Sequence, residues 1–260
     1  MNFELDQVPT RTVKPRTHGL TMVMDKGLSL REAEDLLSVS ADYIDLVKLG
    51  FGTAYVTPNL DKKISIYRSA GLAVYFGGTL LEAFLIRNQL DDYIKLIEKY
   101  KMEHLEISDG SIIMPHEKKC QLIRKLSKLA TVITEVGSKE EGILIHPNVW
   151  ISMMQEEINA GAWKVIAEAR ESGTVGIFRP SGKAHVVLIN KIIAKVPQEN
   201  IIWETPSKSQ QAYFIKLLGP NVNLGNIAPA DVLPLETLRL GLRSDTFFSF
   251  LDKKSSKKIP

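Results

Sequence analysis

Four glutamates, Glu106, Glu135, Glu168 and Glu204, each close a short run of apolar and β-branched residues (HLE, TVITE, WKVIAE and IIWE). Lys48 closes a similar run (IDLVK), and Arg170 stands two residues beyond Glu168. If these runs are strands lying side by side, the charged side chains gather at one edge of a sheet. Carboxylates gathered this way repel one another unless cations or protons compensate. Lys48 and Arg170 supply part of that compensation. Mg²⁺, a hard cation that takes oxygen ligands, is the natural remainder. One such Glu alone reads as a loop cap or a salt-bridge partner. Four at equivalent positions, with a lysine and an arginine, read as an active-site rim.

Glycines near these positions point to an anion. Gly77-Gly78-Thr79 directly precedes a helical pattern, where unpaired N–H groups and the helix dipole favour a phosphate or carboxylate. The same pair also suits a tight turn that leaves no room for a Cβ. The segment 171–185 (ESGTVGIFRPSGKAH) is long, Gly-rich and basic, with Arg179 and Lys183. It reads either as a loop that closes over an anionic substrate or as a surface connection. His104 lies within a strand pattern and reads as a packed barrel residue. His116 and His146 flank helix starts and read as exposed cap-region residues. Trp150, Met153 and Met154 fit a helix packing stripe. The chain has no HExxH, no Walker loop and no Ser/His/Asp pattern.

The elements that must position the rim follow from periodicity. Strands are expected at residues 20–25, 43–48, 72–77, 102–107, 131–136, 163–168, 201–204 and 222–226. Helical patterns lie between them at 29–38, 60–70 (weaker), 80–100, 115–129, 147–160, 185–196, 207–218 and 229–242. The first opens on Ser29 with Glu32 three residues on, a capping box. Those at 115 and 147 begin with Pro, which suits a helix's first turn. Strands alternating with helices imply a parallel sheet. Eight such units close into a single (β/α)8 TIM barrel, an α/β fold whose chemistry sits at the C-terminal ends of the strands. An open doubly wound sheet is the alternative, and it lacks the GxGxxG of its dinucleotide-binding version.

The 260 residues are expected to form one barrel domain over 1–260, with residues 1–19 as an N-terminal extension wrapping the exterior and 252–260 as a basic tail. The net charge of +3 is nearly balanced, and the tail reads as a solvated end rather than a nucleic-acid arm. A single cysteine, Cys120, precludes an internal disulfide and a Cys-rich zinc site and suits a reducing cytoplasm. No run of about 18 apolar residues suggests a membrane span, and no secretory leader is visible. Apolar helix faces such as residues 83–86 suit either subunit contacts in a homo-oligomer or core packing.

Seven runs carry a family resemblance: DYIDLVKLGFGT from Asp42, FGGTLLE from Phe76, EISDG from Glu106, TEVGSK from Thr134, EARESGTVGI from Glu168, GPNVNLGNI from Gly219 and LETLRLGLRSDTFF from Leu235. In order and spacing they resemble the phosphosulfolactate synthase family of coenzyme M biosynthesis, to which a plant heat-stress-associated protein is also similar. The resemblance implies a barrel enzyme that uses Mg²⁺ to add sulfite to phosphoenolpyruvate through an enediolate, giving (2R)-2-phospho-3-sulfolactate. On that reading Glu135 and Glu168 hold Mg²⁺, with Glu204 and Glu106 as further ligands or outer partners. Lys48 is the proton donor and Arg170 the sulfite or carboxylate binder. Gly77, Gly78, Ser181 and Asn226 contact phosphate. The alternatives are another barrel lyase or aldolase acting on a phosphorylated enolate, whose lysine forms a Schiff base, and a stress-associated barrel without turnover.

Overall fold

The computed structural model describes residues 2–137, 145–169 and 172–252. Eight parallel strands run β1 Thr21–Asp25, β2 Leu46–Leu49, β3 Ala73–Phe76, β4 His104–Ile107, β5 Thr131–Val136, β6 Ala162–Ala167, β7 Ile201–Glu204 and β8 Leu224–Ile227. They are hydrogen-bonded in the order β3-β2-β1-β8-β7-β6-β5-β4, a nearly closed barrel. The helices around it are α1 Leu30–Ser40, α2 Leu60–Ser69, α3 Gly78–Leu85, α4 Leu90–Lys99, α5 His116–Leu126, α6 Pro147–Asn159, α7 Val186–Ile193, α8 Lys208–Leu218 and α9 Val232–Arg239.

Side chains alternate across each strand, and the two faces build two cores. Val23, Val47, Val74, Leu105, Val132, Val165 and Trp203 belong to the larger core that includes the helices. Leu20, Met22, Leu46, Tyr75, Ile133, Ile166 and Ile202 form a separate cluster inside the barrel. Two residues beyond Leu46, Ile133, Ile166 and Ile202 come Lys48, Glu135, Glu168 and Glu204. The same alternation that fills the interior thus sets a charged layer on top of it.

The sequence expectation of one helix over 80–100 is incorrect. Asn88 adopts a left-handed conformation (φ 55°), which asparagine tolerates better than most residues. The Gln89 amide donates to the Phe84 carbonyl and the Asn88 amide to that of Leu85, both at 3.0 Å. This Schellman pattern ends α3 and lets α4 start afresh. In the N-terminal extension Arg11 pairs with Glu236 on α9 at 2.8 Å, and the following residues 14–17 cross the mouth at the N-terminal ends of the strands. There Lys14 and Arg16 line a cavity with Leu46, His104 and Trp163, and Lys164 donates to the Thr17 carbonyl at 2.9 Å. His104 meets the Trp163 ring edge-on with centroids 5.6 Å apart. The basic tail from Lys253 onward lies outside the described residues.

Arg239 holds the β8–β1 junction at this end. Its fully buried guanidinium donates to the carbonyls of Pro220 and Val222, both at 2.7 Å, and of Leu20 at 3.1 Å. In Arg239→Met the Val222 carbonyl loses its donor, while the Pro220 carbonyl keeps Arg11 Nη1 at 2.9 Å and the Leu20 carbonyl keeps the Leu224 amide at 2.9 Å. A buried acceptor left without a donor costs about 1–3 kcal/mol, and urea unfolding should show a loss of that size. An unchanged unfolding free energy would contradict this role.

Candidate active site

The rim is organised around one buried ammonium group. Lys48 Nζ lies 2.8 Å from Glu106 Oε1, 3.5 Å from Glu135 Oε2 and 3.9 Å from Glu204 Oε1, and all four residues are buried. Burial alone would strip the Lys48 proton, but the carboxylates of Glu106, Glu135 and Glu204 outweigh it and hold the proton more tightly than usual. Glu106 Oε1 also accepts the Gly78 amide at 2.8 Å, and Glu204 Oε2 accepts the Ala169 amide at 2.9 Å. Burial, then the neighbouring Glu135 charge, pushes the Glu204 carboxyl up to about 7 against the pull of Lys48. Beneath the rim, burial and then Glu106 hold the Tyr75 phenol protonated.

These groups line a cavity of about 450 Å³ together with Glu168, Asn226, Met24, Phe51, Thr79, Ser111 and Ser172. Asn226 enters through an irregularity in β8. Thr21 pairs with Leu224 but Val23 with Ile227, so two β8 residues, Gly225 and Asn226, stand opposite one of β1, Met22. The extra residue, Asn226, is left-handed (φ 57°). A regular strand would turn it outward after the inward Gly225, whereas the bulge re-aims it. Its Oδ1 is buried with no hydrogen-bond partner among the described residues.

The β3–β4 edges share no named strand pairing, and side chains staple them at the rim. Besides the Gly78–Glu106 bond, Glu82 on α3 accepts the Ser108 hydroxyl, the Gly110 amide at 3.1 Å and the Ser111 amide. A Cβ at Gly78 would collide with the Ser108 side chain, so glycine permits this close approach. Ser111 and Ser172 carry no sequence signal, because isolated hydroxyls have no periodicity, whereas Thr79 belongs to the Gly77-Gly78-Thr79 run. Glu82 sits in the conspicuous FGGTLLE run, but only the fold shows that it fixes the loop after β4. Asp25 ends β1 yet points outward, since Met24 takes the inward position. It pairs with Lys63 Nζ at 2.7 Å and accepts the Tyr67 hydroxyl at 2.8 Å.

Gly77 and Gly78 stand at the start of α3, where Glu106 takes the Gly78 amide. Ser181 is not brought to the rim cavity. It lines a neighbouring cavity of about 610 Å³ with Arg179, Lys183, Ser207 and Gln210, and Ser172 borders both. The loop carrying it is tied down at its base: the Ile177 amide donates to the Glu168 carbonyl at 3.0 Å, and buried Phe178 packs edge-on to Phe214. Arg170 lies outside the described residues. His146 caps α6, its ring nitrogen accepting the Asn148 amide. His116 is not the exposed cap residue expected, being half-buried beside Cys120.

The donor chemistry suits a hard dication. Glu135, Glu168, Glu204 and Asn226 offer oxygen ligands, and the buried Asn226 Oδ1 has no donor among the described residues.

Residues 9–245 match the family described as (2R)-phospho-3-sulfolactate synthase (ComA). A phosphosulfolactate synthase of Methanothermobacter thermautotrophicus is 40% identical over 92% of this chain and 95% of its own. One of Bacillus subtilis is also 40% identical, over 95% and 99%. Among solved structures, 3-hexulose-6-phosphate synthase from Salmonella typhimurium superposes with a TM-score of 0.54 at 12% identity, covering 86% of this chain and 100% of that one. N-acetylneuraminate lyase from Fusobacterium nucleatum gives 0.56 at 8%, covering 90% and 76%. At such identities these two speak for the barrel fold alone.

The Glu204 environment makes a pH prediction. Between an unfolded carboxyl near about 4.3 and the folded value of about 7, the folded protein keeps a proton that the unfolded chain has released. Stability from this group is therefore full below the unfolded value and is lost as pH rises through the folded one. Glu204→Gln removes the effect. In metal-free protein its stability relative to the parent should rise by about 3 kcal/mol between pH 4 and 8, the scale of that shift. Parallel denaturation curves at both pH values would contradict it.

Proposed function

The chain belongs to the (2R)-phospho-3-sulfolactate synthase family, and from that premise we propose that it catalyses addition of sulfite to phosphoenolpyruvate, with Mg²⁺, in the cytoplasm. The observation that carries the reading is the Lys48 ammonium held among Glu106, Glu135 and Glu204 at the end of the barrel where this fold does its chemistry. Sulfite sulfur bonds to the methylene carbon, and the C=C electron pair moves toward the substrate carboxylate as an enediolate. The adjacent carbon then takes a proton from Lys48, which recovers one from bisulfite or solvent. One C–S and one C–H bond form, and the phosphate ester stays intact.

Glu135, Glu168 and Glu204 are the residues that would hold Mg²⁺, with Asn226 Oδ1 as a further oxygen. Bound there, Mg²⁺ supplies dipositive charge that offsets the negative charge developing on the substrate carboxylate. Glu135 and Glu204, once committed to a cation, no longer hold the Lys48 proton so firmly, which brings the ammonium closer to an acid that can donate. Glu106 keeps its hydrogen bonds to Lys48 and Gly78 and aims the ammonium group. Arg170 is assigned to sulfite or the substrate carboxylate. Gly77, Gly78 and Ser181 are assigned to the phosphate side, with Ser181 reaching it through the cavity that meets the rim at Ser172. A Schiff-base lysine needs a neutral amine, and the carboxylates that hold Lys48 charged favour the acid role over that alternative.

Purified protein with phosphoenolpyruvate, sulfite and Mg²⁺ should yield phosphosulfolactate by mass spectrometry. Lys48→Ala should reduce turnover by about 10²–10⁴-fold, the usual worth of a positioned acid. No product from folded, Mg²⁺-supplied protein would sink the reading. Near-normal turnover by Lys48→Ala would sink the assignment of the acid.

A further inference from the structure

On the outer surface of the barrel, α5 and α6 bring together three ligand types found nowhere else in this combination among the described residues. His116 and Cys120 are four residues apart on α5 and so share one helix face. The Cys120 sulfur lies 3.5 Å from His116 Nε2, and Glu156 Oε2 on α6 lies 3.4 Å from the same nitrogen. All three ligand atoms fall within 4.8 Å of one another.

We propose that His116, Cys120 and Glu156 bind a zinc-class transition-metal dication that bridges α5 and α6. A tetrahedral zinc ion bonds sulfur at about 2.3 Å and nitrogen or oxygen at about 2.0–2.1 Å, which sets edges of about 3.6 Å for S···N and about 3.3 Å for N···O. The observed 3.5 Å and 3.4 Å match both edges. The remaining edge closes by rotation of the half-exposed Glu156 side chain, and a solvent oxygen completes the set. A thiolate, an imidazole and a carboxylate select zinc, cobalt or copper over Mg²⁺.

The surrounding groups orient these ligands. His116 Nδ1 lies 3.7 Å from the fully buried Glu157 Oε1, so a small ring adjustment would let that carboxylate fix the tautomer of a ligating histidine. The Ser152 hydroxyl donates to Glu156 Oε1 at 2.6 Å and leaves Oε2 toward His116. Glu157 is itself held by Lys119 Nζ at 2.9 Å, and Lys119 also donates to the Glu135 carbonyl on β5 at 2.6 Å. The site is separate from the rim, and its chemistry does not depend on the sulfite reaction.

Cobalt supplies a direct test, because Cys120 is the only cysteine in the chain. Metal-free protein titrated with Co²⁺ should develop a thiolate-to-cobalt charge-transfer band that saturates at one equivalent. Zn²⁺ should abolish the band and a large excess of Mg²⁺ should leave it. Zn²⁺ should also raise the thermal unfolding midpoint. Cys120→Ser should lose both the band and the midpoint shift. Glu156→Ala, at an exposed position that threatens folding least, should bind Co²⁺ at least tenfold more weakly. Absence of the band from folded parent protein would overturn the proposal, as would unchanged affinity in Glu156→Ala.

Discussion

The buried positive charge of Lys48 is the constraint on which the rest of the rim depends. An ammonium group removed from water is costly unless its partners are close and themselves satisfied. Here three carboxylates from three other strands surround it. Their mutual repulsion is in turn tolerable only because Lys48 stands among them. Glu106 and Glu204 each also accept a backbone amide, so neither is free to swing away from the ammonium. The carboxylates hold the Lys48 proton, and Lys48 in turn draws the Glu204 carboxyl toward its charged form. A cation entering this layer competes with Lys48 for the same oxygens, so cation binding and acidity of the lysine are linked by electrostatics alone.

The scaffold meets that constraint with four devices. Strand alternation sends Leu46, Ile133, Ile166 and Ile202 into the barrel and their neighbours two residues on into the rim. The extra residue in β8 adds Asn226 to a layer that a regular strand would not let it reach. On the outside, Lys119 ties α5 to Asp109, to Glu157 on α6 and to the Glu135 carbonyl. The strand carrying Glu135 is thereby held from the helical shell as well as from its neighbours. At the β3–β4 seam, Glu82 and Glu106 stand in for ladder hydrogen bonds.

Much of this was legible in the chain. Apolar runs ending in Glu or Lys mark the strands and the end of the barrel that carries charge, because a period of two and a strand terminus leave local signatures. Lys48, Glu106, Glu135, Glu168 and Glu204 were legible for that reason, and the structure brings them around one cavity. What was hidden depends on backbone conformation or on contacts distant in sequence. The left-handed Asn88 splits one apparent helix into two, and nothing in the 80–100 pattern announces it. Asp25 looks like a rim residue until strand parity turns it toward Lys63 and Tyr67. His116 and Cys120 are four apart on a visible helix, but their third companion, Glu156, comes from the next helix over. Ser181 shows the reverse case: its glycine-rich surroundings suggest a phosphate contact, while its side chain lines the adjoining cavity.

In the proposed reaction this rim delivers a proton to one face of a carbon made nucleophilic by sulfite addition. Running the reaction in ²H₂O tests it most directly, because the Lys48 ammonium exchanges with solvent. The phosphosulfolactate formed should carry a single deuterium at C2, all in the 2R configuration. Product with both configurations at C2, or with no deuterium there, would contradict it.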